Sequence, residues 1–259
     1  MKLRSLSLIV VMAAGLLPGA IAQNASSSAS ASKPAVIAEL FTSEGCSSCP
    51  PADALLAELN RRKTLAGVPM IVLSEHVDYW NHDGWRDPFS SAQWTQRQND
   101  YNLRFRLDSV YTPQMVIDGS QQVIGSNAAH VAHAIETAAA QPGKLQIAIT
   151  GASWDGDVLH ATVSVGDLSP QTAKGTTLYA VLADDEDTSS VERGENSGRT
   201  LKHVSVVRVM QKVSALHGPY SGPVDVKLPH GVARGKMRLI VFAQKGNNGD
   251  IFGAAQREV

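Results

Sequence analysis

Short apolar runs alternate with helical repeats in the first part of the chain. "AVIAELF" at 35–41 and "VPMIVLS" at 68–74 are typical of buried strands. The segments 51–67 and 90–105 instead have a helical period, and the first ends at Gly67, a helix stop signal. "QMVIDGSQQVIG" predicts two further strands around a tight Asp118-Gly119 turn, and an alanine-rich helix follows it.

The predicted order is therefore β-α-β-α-β-β-α over residues 35–143. Helical crossovers favour parallel strands, while a tight turn makes its two strands antiparallel, so this order predicts a mixed four-stranded sheet with helices on its faces. From residue 144 onward the helices largely vanish, and seven strand-like runs are separated by turn signals such as "GNNGD". This pattern predicts an antiparallel β-sandwich-like domain over 144–259.

The N-terminus has the pattern of a secretory signal. Lys2 and Arg4 precede an apolar run, and Ala20-Ile21-Ala22 is a small-residue cleavage site. We therefore expect a signal peptide at 1–22, with an uncleaved membrane anchor as the alternative. Residues 23–34 are rich in Ser and Ala and predict a flexible linker. The expected location is the periplasm or the extracellular space.

Composition narrows the range of partners. After the leader, 21 basic and 24 acidic residues remain, and no basic patch stands out, so we expect no nucleic-acid partner. No later apolar run approaches the length of a membrane span, so we expect no membrane association after cleavage.

The chain contains two cysteines, Cys46 and Cys49, in the stretch "TSEGCSSCPP". As a staple they would close a very short loop, which stabilises by about 2 kcal/mol against nearly 5 for a 100-residue loop. As a metal site they would need further ligands, for which His76 and His82 are candidates. As a redox centre they would need no further ligands and no long loop, only a suitable position in the fold.

That position favours redox chemistry. The cysteines follow a predicted strand and precede a predicted helix, whose N-terminus stabilises a thiolate. Cys46 is then the attacking thiolate, and Cys49 resolves the mixed disulfide. The adjacent Pro50 and Pro51 delay the helix, and Glu44 adds negative charge, so a strongly acidic thiol is not expected.

These residues resemble the thioredoxin superfamily, in which a Cys-x-x-Cys pair follows the first strand. The second half of the resemblance is Thr112-Pro113 in "VYTPQMVIDG". It implies a cis Pro113 beside the cysteines, with Thr112 helping to bind the backbone of a substrate. It also implies that Glu39, on the first strand, assists proton transfer to Cys49. The alternatives are an ordinary trans proline and an outward-pointing Glu39.

A narrower similarity concerns the segments "ELFTSEGCSSCPPAD", "EHVDYWNHDGW", "VYTPQMVIDG" and "RGENSGRTL". Together they are similar to a family of secreted thioredoxin-like proteins classed as domain of unknown function 1223. The resemblance implies the fold and export, but no established reaction. Ser47-Ser48 departs from the Gly-Pro of thioredoxin, which puts general disulfide reductase activity in doubt.

Two further segments are candidates for the site. "SEHVDYWNHDGWRDPF" carries Trp80 and Trp85 and is predicted either to form a substrate-binding wall or to be a loop pinned by its tryptophans. The stretch 184–203 is predicted to be a long loop with an acidic tip. We expect its "RGENSGRT" part to pack near the cysteines through arginine–carboxylate bonds.

The sequence thus predicts an exported α/β thioredoxin-like domain followed by an all-β sandwich-like domain. The predicted chemistry is thiol–disulfide exchange without an organic cofactor, with a protein or small thiol or disulfide as substrate and a redox partner that resets the cysteines. One alternative is a Cu(I)- or other metal-binding protein that uses the same cysteines. Another is a non-catalytic interaction module.

Overall fold

A computed structural model describes residues 34–259, which form four helices and twelve strands. The predicted signal peptide and nearly all of the predicted linker lie outside these residues. None of the described helices is long and apolar enough to cross a membrane. The helices are α1 (Pro50–Arg62), α2 (Ala92–Phe105), α3 (Ala128–Ala139) and α4 (Pro170–Ala173). The strands are β1 (Val36–Thr42), β2 (Thr64–Leu65), β3 (Val68–His76), β4 (Gln114–Ile117), β5 (Gln121–Ile124), β6 (Ile147–Asp155), β7 (Val158–Val165), β8 (Thr176–Ser190), β9 (Thr200–Ala215), β10 (Tyr220–Lys227), β11 (Met237–Lys245) and β12 (Ile251–Glu258).

Nine strands form one mixed sheet. Its order is β12-β11-β8-β9-β3-β1-β4-β5, with β2 paired to β3. Strand β1 is parallel to β3 and antiparallel to β4, and β3 is parallel to β9 at Ser74 and Val206. The remaining three strands form a smaller antiparallel sheet in the order β10-β7-β6.

The predicted fold class, a thioredoxin-like domain followed by a separate all-β sandwich, is wrong. The seven predicted strands after residue 143 are present, but four of them extend the sheet of the first part. Their junction is the pairing of β3 with β9. An apolar pattern marks a strand but not its partner, and the outer edge of β3 needed a partner for its backbone groups.

The described residues contain four apolar clusters, and the three larger ones join the helices and the two sheets. Helices α1 and α3 cover one face of β1, β3 and β4. On the other face, Ile37 and Leu73 pack with Val181 and Phe242, so this cluster joins strands from both parts of the chain. The small sheet packs on the opposite face of β8 and β11. Strands β8 and β11 are therefore covered on both faces, which explains their continuous apolar runs.

Helix α1 ends earlier than its pattern predicts. Its cap is Lys63, which has a left-handed backbone with φ of 56°. The expected stop, Gly67, instead lies in a hairpin in which Thr64–Leu65 pairs with the start of β3. The predicted turn at Asp118-Gly119 is confirmed, with φ of 47° and 63°.

The long loop predicted at 184–203 is also shorter in the structure. Strand β8 continues to Ser190 and β9 begins at Thr200, so the acidic residues lie within a strand rather than at a solvated tip. What remains is a nine-residue connection at 191–199, called the ribbon loop below.

Candidate functional site

The two cysteines form a disulfide between the end of β1 and the start of α1. Cys49 is the N-cap residue of α1, and Pro50 and Pro51 occupy its first positions. The side chains of Cys46 and Cys49 have no exposed surface, whereas Ser47 and Ser48 between them are exposed. The disulfide is therefore reached past this Ser-Ser pair or after a covering segment moves.

The peptide bond between Thr112 and Pro113 is cis, as predicted, and lies beside the cysteine pair. The Ser48 hydroxyl donates to the Thr112 carbonyl at 3.4 Å. The Pro113 carbonyl accepts from the backbone N–H of Gly125 at 2.9 Å. A Cβ at Gly125 would lie 2.8 Å from a methyl of the buried Leu40, so a larger residue here would require Leu40 to shift.

Both candidate tryptophans are anchored by hydrogen bonds. The Trp80 indole N–H donates to Thr112 Oγ1 at 2.9 Å, and the Trp85 indole N–H donates to Glu44 Oε2 at 2.7 Å. Both rings are half-buried. The structure thus gathers Thr112, Pro113 and both tryptophans around the disulfide, and their role in substrate binding stays a prediction.

The ribbon loop docks on the disulfide, as expected, but through different contacts. The Asn196 side-chain amide, fully buried, donates to the carbonyls of Glu44 and Cys46, each at 2.9 Å. Glu195 accepts from the backbone N–H of Ser47 at 3.0 Å, and hydrogen bonding from the Ser47 side chain, with a smaller part from this N–H, lowers the pKa of Glu195. Arg199 donates to Asn196 Oδ1 at 3.1 Å. The prediction that arginine–carboxylate bonds dock this loop is wrong. Asn196 and Glu195 dock it instead, through hydrogen bonds to the backbone of the cysteine turn.

A buried group of ionisable side chains adjoins the disulfide, and it is called the histidine–carboxylate cluster below. His76 Nδ1 lies 2.7 Å from Asp87 Oδ2, and His203 Nε2 lies 3.1 Å from Glu44 Oε1. The two imidazoles meet edge to face, with centroids 4.6 Å apart. The cluster consists of Glu44, Asp53, His76, Asp87 and His203, none of them more than 7% exposed.

Opposite charges stabilise each other within this cluster. Burial alone would lower the pKa of His76, but the carboxylates of Asp87, Asp53 and Glu44 together outweigh burial, so the pKa lies above its ordinary value. Burial alone would raise the pKa of Asp87. His76 and the backbone N–H groups of Glu44 and Phe89 together have the larger, opposite effect, so the pKa of Asp87 lies below its ordinary value. The short contact and the two opposite pKa shifts favour the charged forms of His76 and Asp87.

Glu39 is buried on the other face of β1. Its carboxylate accepts from Arg97 Nε at 2.7 Å and from the Tyr101 hydroxyl at 2.6 Å, both on α2. Thr42, by contrast, lies on the α1 face and donates to Asp53. Glu39 thus points inward, and its hydrogen bonds lead toward α2 rather than toward Cys49. Its proposed part in proton transfer stays a prediction.

The structure separates the ligands considered for a metal. His76 contacts Asp87, while His82 is exposed beside Asp83 at 3.4 Å. Over residues 34–259, no three His, Cys, Asp or Glu side chains are arranged to hold a metal ion.

Sequence reasoning expected the segment that contains Asn196 to lie near the cysteines, but it did not find the contacts of Asn196 or the histidine–carboxylate cluster. Asn196 and His203 come to the disulfide from more than 145 positions away along the chain. Asp53 did carry a signal, because it follows Cys49 by four residues in a predicted helix and shares its face.

Comparisons with known proteins agree with this arrangement at the level of family and fold. The profile of a family described as protein of unknown function (DUF1223) matches residues 37–244. The chain is similar to the crystal structure of protein AGR_C_4864 from Agrobacterium tumefaciens, at 27% identity and a TM-score of 0.62, over 85% of this chain and 92% of that one. It is similar in fold to HBP35 of Porphyromonas gingivalis, at 16% identity and a TM-score of 0.63, over 88% and 76% of the two chains. No curated protein matches the sequence significantly.

Proposed function

The chain belongs to the DUF1223 family of proteins of unknown function, and from its site we propose that it carries out thiol–disulfide exchange outside the cytoplasm. The observation that carries the proposal is a Cys46–Cys49 disulfide at a helix N-terminus, with Thr112-Pro113 beside it. A loop this short gains little stability from its disulfide, so a purely structural role accounts poorly for it.

The exchange proceeds through two displacements. In the reduced protein the Cys46 thiolate attacks a substrate disulfide, forms a mixed disulfide and releases one substrate thiolate. Cys49 then loses its proton and attacks Cys46, which forms the Cys46–Cys49 bond and releases the second substrate thiolate. The substrate disulfide gains two electrons and the cysteine pair loses two. The reverse sequence oxidises a substrate dithiol.

Two features support this chemistry at Cys46. In the turn before α1, the Cys46 N–H donates to the Ser43 carbonyl and the Cys49 N–H donates to the Cys46 carbonyl, each at 3.2 Å. These hydrogen bonds place the cysteines at the positive N-terminal end of α1. The exposed Ser47, Ser48 and half-buried Thr112 provide a polar surface next to it. A substrate backbone binds along that surface in this proposal.

Trapping the intermediate tests the proposal. Reduced Cys49→Ala protein, incubated with a disulfide-bonded peptide, should form a stable 1:1 mixed disulfide through Cys46 that is visible as an added mass. The matched control is Cys46→Ala, which retains only the resolving cysteine and should form little adduct. Wild-type protein should release the peptide as thiol without accumulating adduct.

Absence of an adduct on Cys49→Ala, together with no reduction of the peptide by wild-type protein, would contradict the proposal. The same outcome would favour the non-catalytic interaction module.

Export belongs to the proposal because a disulfide persists in oxidising compartments. Protein recovered from the periplasm or medium should begin at or near Gln23 by N-terminal sequencing. Recovery of an intact N-terminus in the cytoplasm would count against export.

A further inference from the structure

Asp53 lies on the same helix face as the resolving cysteine. Its backbone N–H donates to the Cys49 carbonyl at 3.1 Å, so the two residues are one turn apart in α1. Side chains four residues apart on a helix are neighbours. Both are buried, with Asp53 7% exposed and Cys49 fully covered. The Thr42 hydroxyl donates to Asp53 Oδ1 at 2.9 Å and fixes the carboxyl group on the β1 side of the helix.

Buried titratable side chains from several elements surround Asp53. His76 comes from β3 and His203 from β9, while Glu44 and Asp87 come from the loops that follow β1 and precede α2. Two ring nitrogens in this cluster, His76 Nε2 and His203 Nδ1, are buried and have no hydrogen-bond partner among the described residues. Both histidines act on the Asp53 carboxyl group electrostatically.

We propose that Asp53 is the proton acceptor for the Cys49 thiol when Cys49 resolves the mixed disulfide. The inference rests on the proposed thiol–disulfide exchange and names a residue for its second step. The Cys49 S–H bond breaks and its proton passes to the Asp53 carboxylate. The Cys49 sulfur bonds to Cys46 Sγ, and the bond between Cys46 and the substrate sulfur breaks, so the substrate leaves as a thiolate. In the opposite direction the protonated Asp53 returns the proton to Cys49.

The electrostatics of the site are consistent with this role. Burial raises the pKa of Asp53 above its ordinary value, although His203, His76 and Thr42 act in the opposite direction. A carboxyl group with a raised pKa exchanges protons more readily near neutral pH. Glu39 is the competing candidate, but its carboxylate lies on the other face of β1 and is hydrogen-bonded to Arg97 and Tyr101.

A titration tests the coupling without requiring any exchange reaction. In Cys46→Ala protein the remaining Cys49 thiol is titrated by the ultraviolet absorbance of its thiolate, with and without Asp53→Asn. Removing a neighbouring carboxylate should lower the pKa of Cys49 by about 0.5–1 unit. Asp118→Asn is the matched control, since Asp118 is also a buried aspartate, paired with Lys144 and away from the cysteines. It should leave the Cys49 titration unchanged.

An unchanged Cys49 titration in Asp53→Asn would overturn the proposal, and a shift in Glu39→Gln alone would transfer the role to Glu39. If Asp53→Asn does not fold, wild-type protein labelled with ¹³C at the aspartate carboxyl groups gives the same information. The titration of Asp53 should then differ between the disulfide and dithiol forms, and identical titrations would overturn the proposal.

A kinetic experiment tests the role in the reaction itself. Reduced protein mixed with an aromatic disulfide reagent should release the coloured thiol in two phases, the first from attack by Cys46 and the second from resolution by Cys49. Asp53→Asn should slow the second phase about 10-fold or more and change its pH profile, with the first phase unchanged. An unaltered second phase would overturn the proposal. Failure of the proposed function is read separately, as absence of the mixed disulfide on Cys49→Ala.

Discussion

Glu75 is a fully buried carboxyl group with little positive charge and no hydrogen-bond donor to stabilise its ionised form among the described residues. Its nearest cationic group is Arg97, whose Nε lies 3.5 Å away and also binds Glu39. Both carboxyl oxygens of Glu75 are without a hydrogen-bond partner among the described residues. Burial, reinforced by Glu39, raises the pKa of Glu75 well above its ordinary value. Burial therefore favours the neutral form of Glu75 in the folded protein.

This raised pKa predicts a pH-dependent effect of Glu75→Gln. Below the unfolded pKa of about 4.3 both states of the wild-type protein hold the proton, so the two proteins differ least. As the pH rises above that value the unfolded state releases the proton and the folded state does not, so wild-type stability falls. The free energy of unfolding of Glu75→Gln relative to wild type should therefore increase with pH, by at most about 1.4 kcal/mol per unit.

Urea unfolding at a series of pH values between 5 and 8 measures this difference, a range chosen to start just above the ordinary glutamate pKa of about 4.3. Glu136→Gln, at an exposed position of α3, is the control and should show no comparable trend. A difference between Glu75→Gln and wild type that stays constant with pH would show that Glu75 is ionised in the folded protein.

Among single residues, the sequence identifies those whose role depends on neighbours close to them in the chain. Cys46, Cys49 and Thr112-Pro113 were readable because each has a local signature. Glu75 and His203 were not, since a glutamate or histidine inside a strand does not reveal which distant charges will face it. Their significance depends on pairings such as that of His203 with Glu44, 159 positions apart.

Among the elements, the ribbon loop covers the disulfide. Strands β8 and β9 pair from Asp184 with Val206 to Ser190 with Thr200, and this two-stranded ribbon carries the loop to the cysteine turn. Asn196 holds it there with two hydrogen bonds to buried carbonyls. An element from the second part of the chain therefore contacts the backbone of the cysteine turn directly.

Asn196→Ala should expose the disulfide. The substitution leaves the carbonyls of Glu44 and Cys46 without their donor, at about 1–3 kcal/mol for each buried group. Because the loop then opens more readily, reduction of Cys46–Cys49 by excess phosphine should accelerate about 10-fold or more. The rate is measured by mass after alkylation, under conditions where global unfolding is negligible. Ser197→Ala, which alters an exposed bond within the same loop, is the matched control.

Equal reduction rates in Asn196→Ala and wild type would contradict this role of the loop. Reductant would then reach the disulfide by another route, past Ser47 and Ser48. An acceleration in both loop variants would instead indicate general loosening of the ribbon.

The elements themselves were largely predictable, and their ends were not. Helix α2 buries Trp94, Gln98 and Tyr101 on the face that its period predicts. The end of α1 was displaced because Thr64–Leu65 found a partner in β3, an interaction that helical periodicity does not report. The acidic stretch after Ala183 forms strand because β9 pairs with it, despite a composition typical of a loop.

For the whole molecule, the decisive feature is that one sheet runs through both parts of the chain. Strand β3 pairs with β1 on one side and β9 on the other. Sequence patterns located all of these strands, but strand order across a sheet depends on contacts between distant residues. The cysteine site follows from the same continuity, since β9 supplies His203 and the ribbon supplies Asn196.

This continuity predicts that residues 34–259 unfold in one cooperative transition. Ile37 and Leu73 from the first part share a buried cluster with Val181 and Phe242 from the second. Residues 35–143 alone would expose this cluster and the edge of β3, so that fragment should not reach the native fold. Phe242→Ala should lower the stability of the entire protein by about 3–5 kcal/mol. Native-state hydrogen exchange should then show equally accelerated global opening for amides of β1 and β11. Acceleration confined to β11, or a stably folded 35–143 fragment with the native disulfide environment, would show instead that the two parts are independent folding units joined only at β3 and β9.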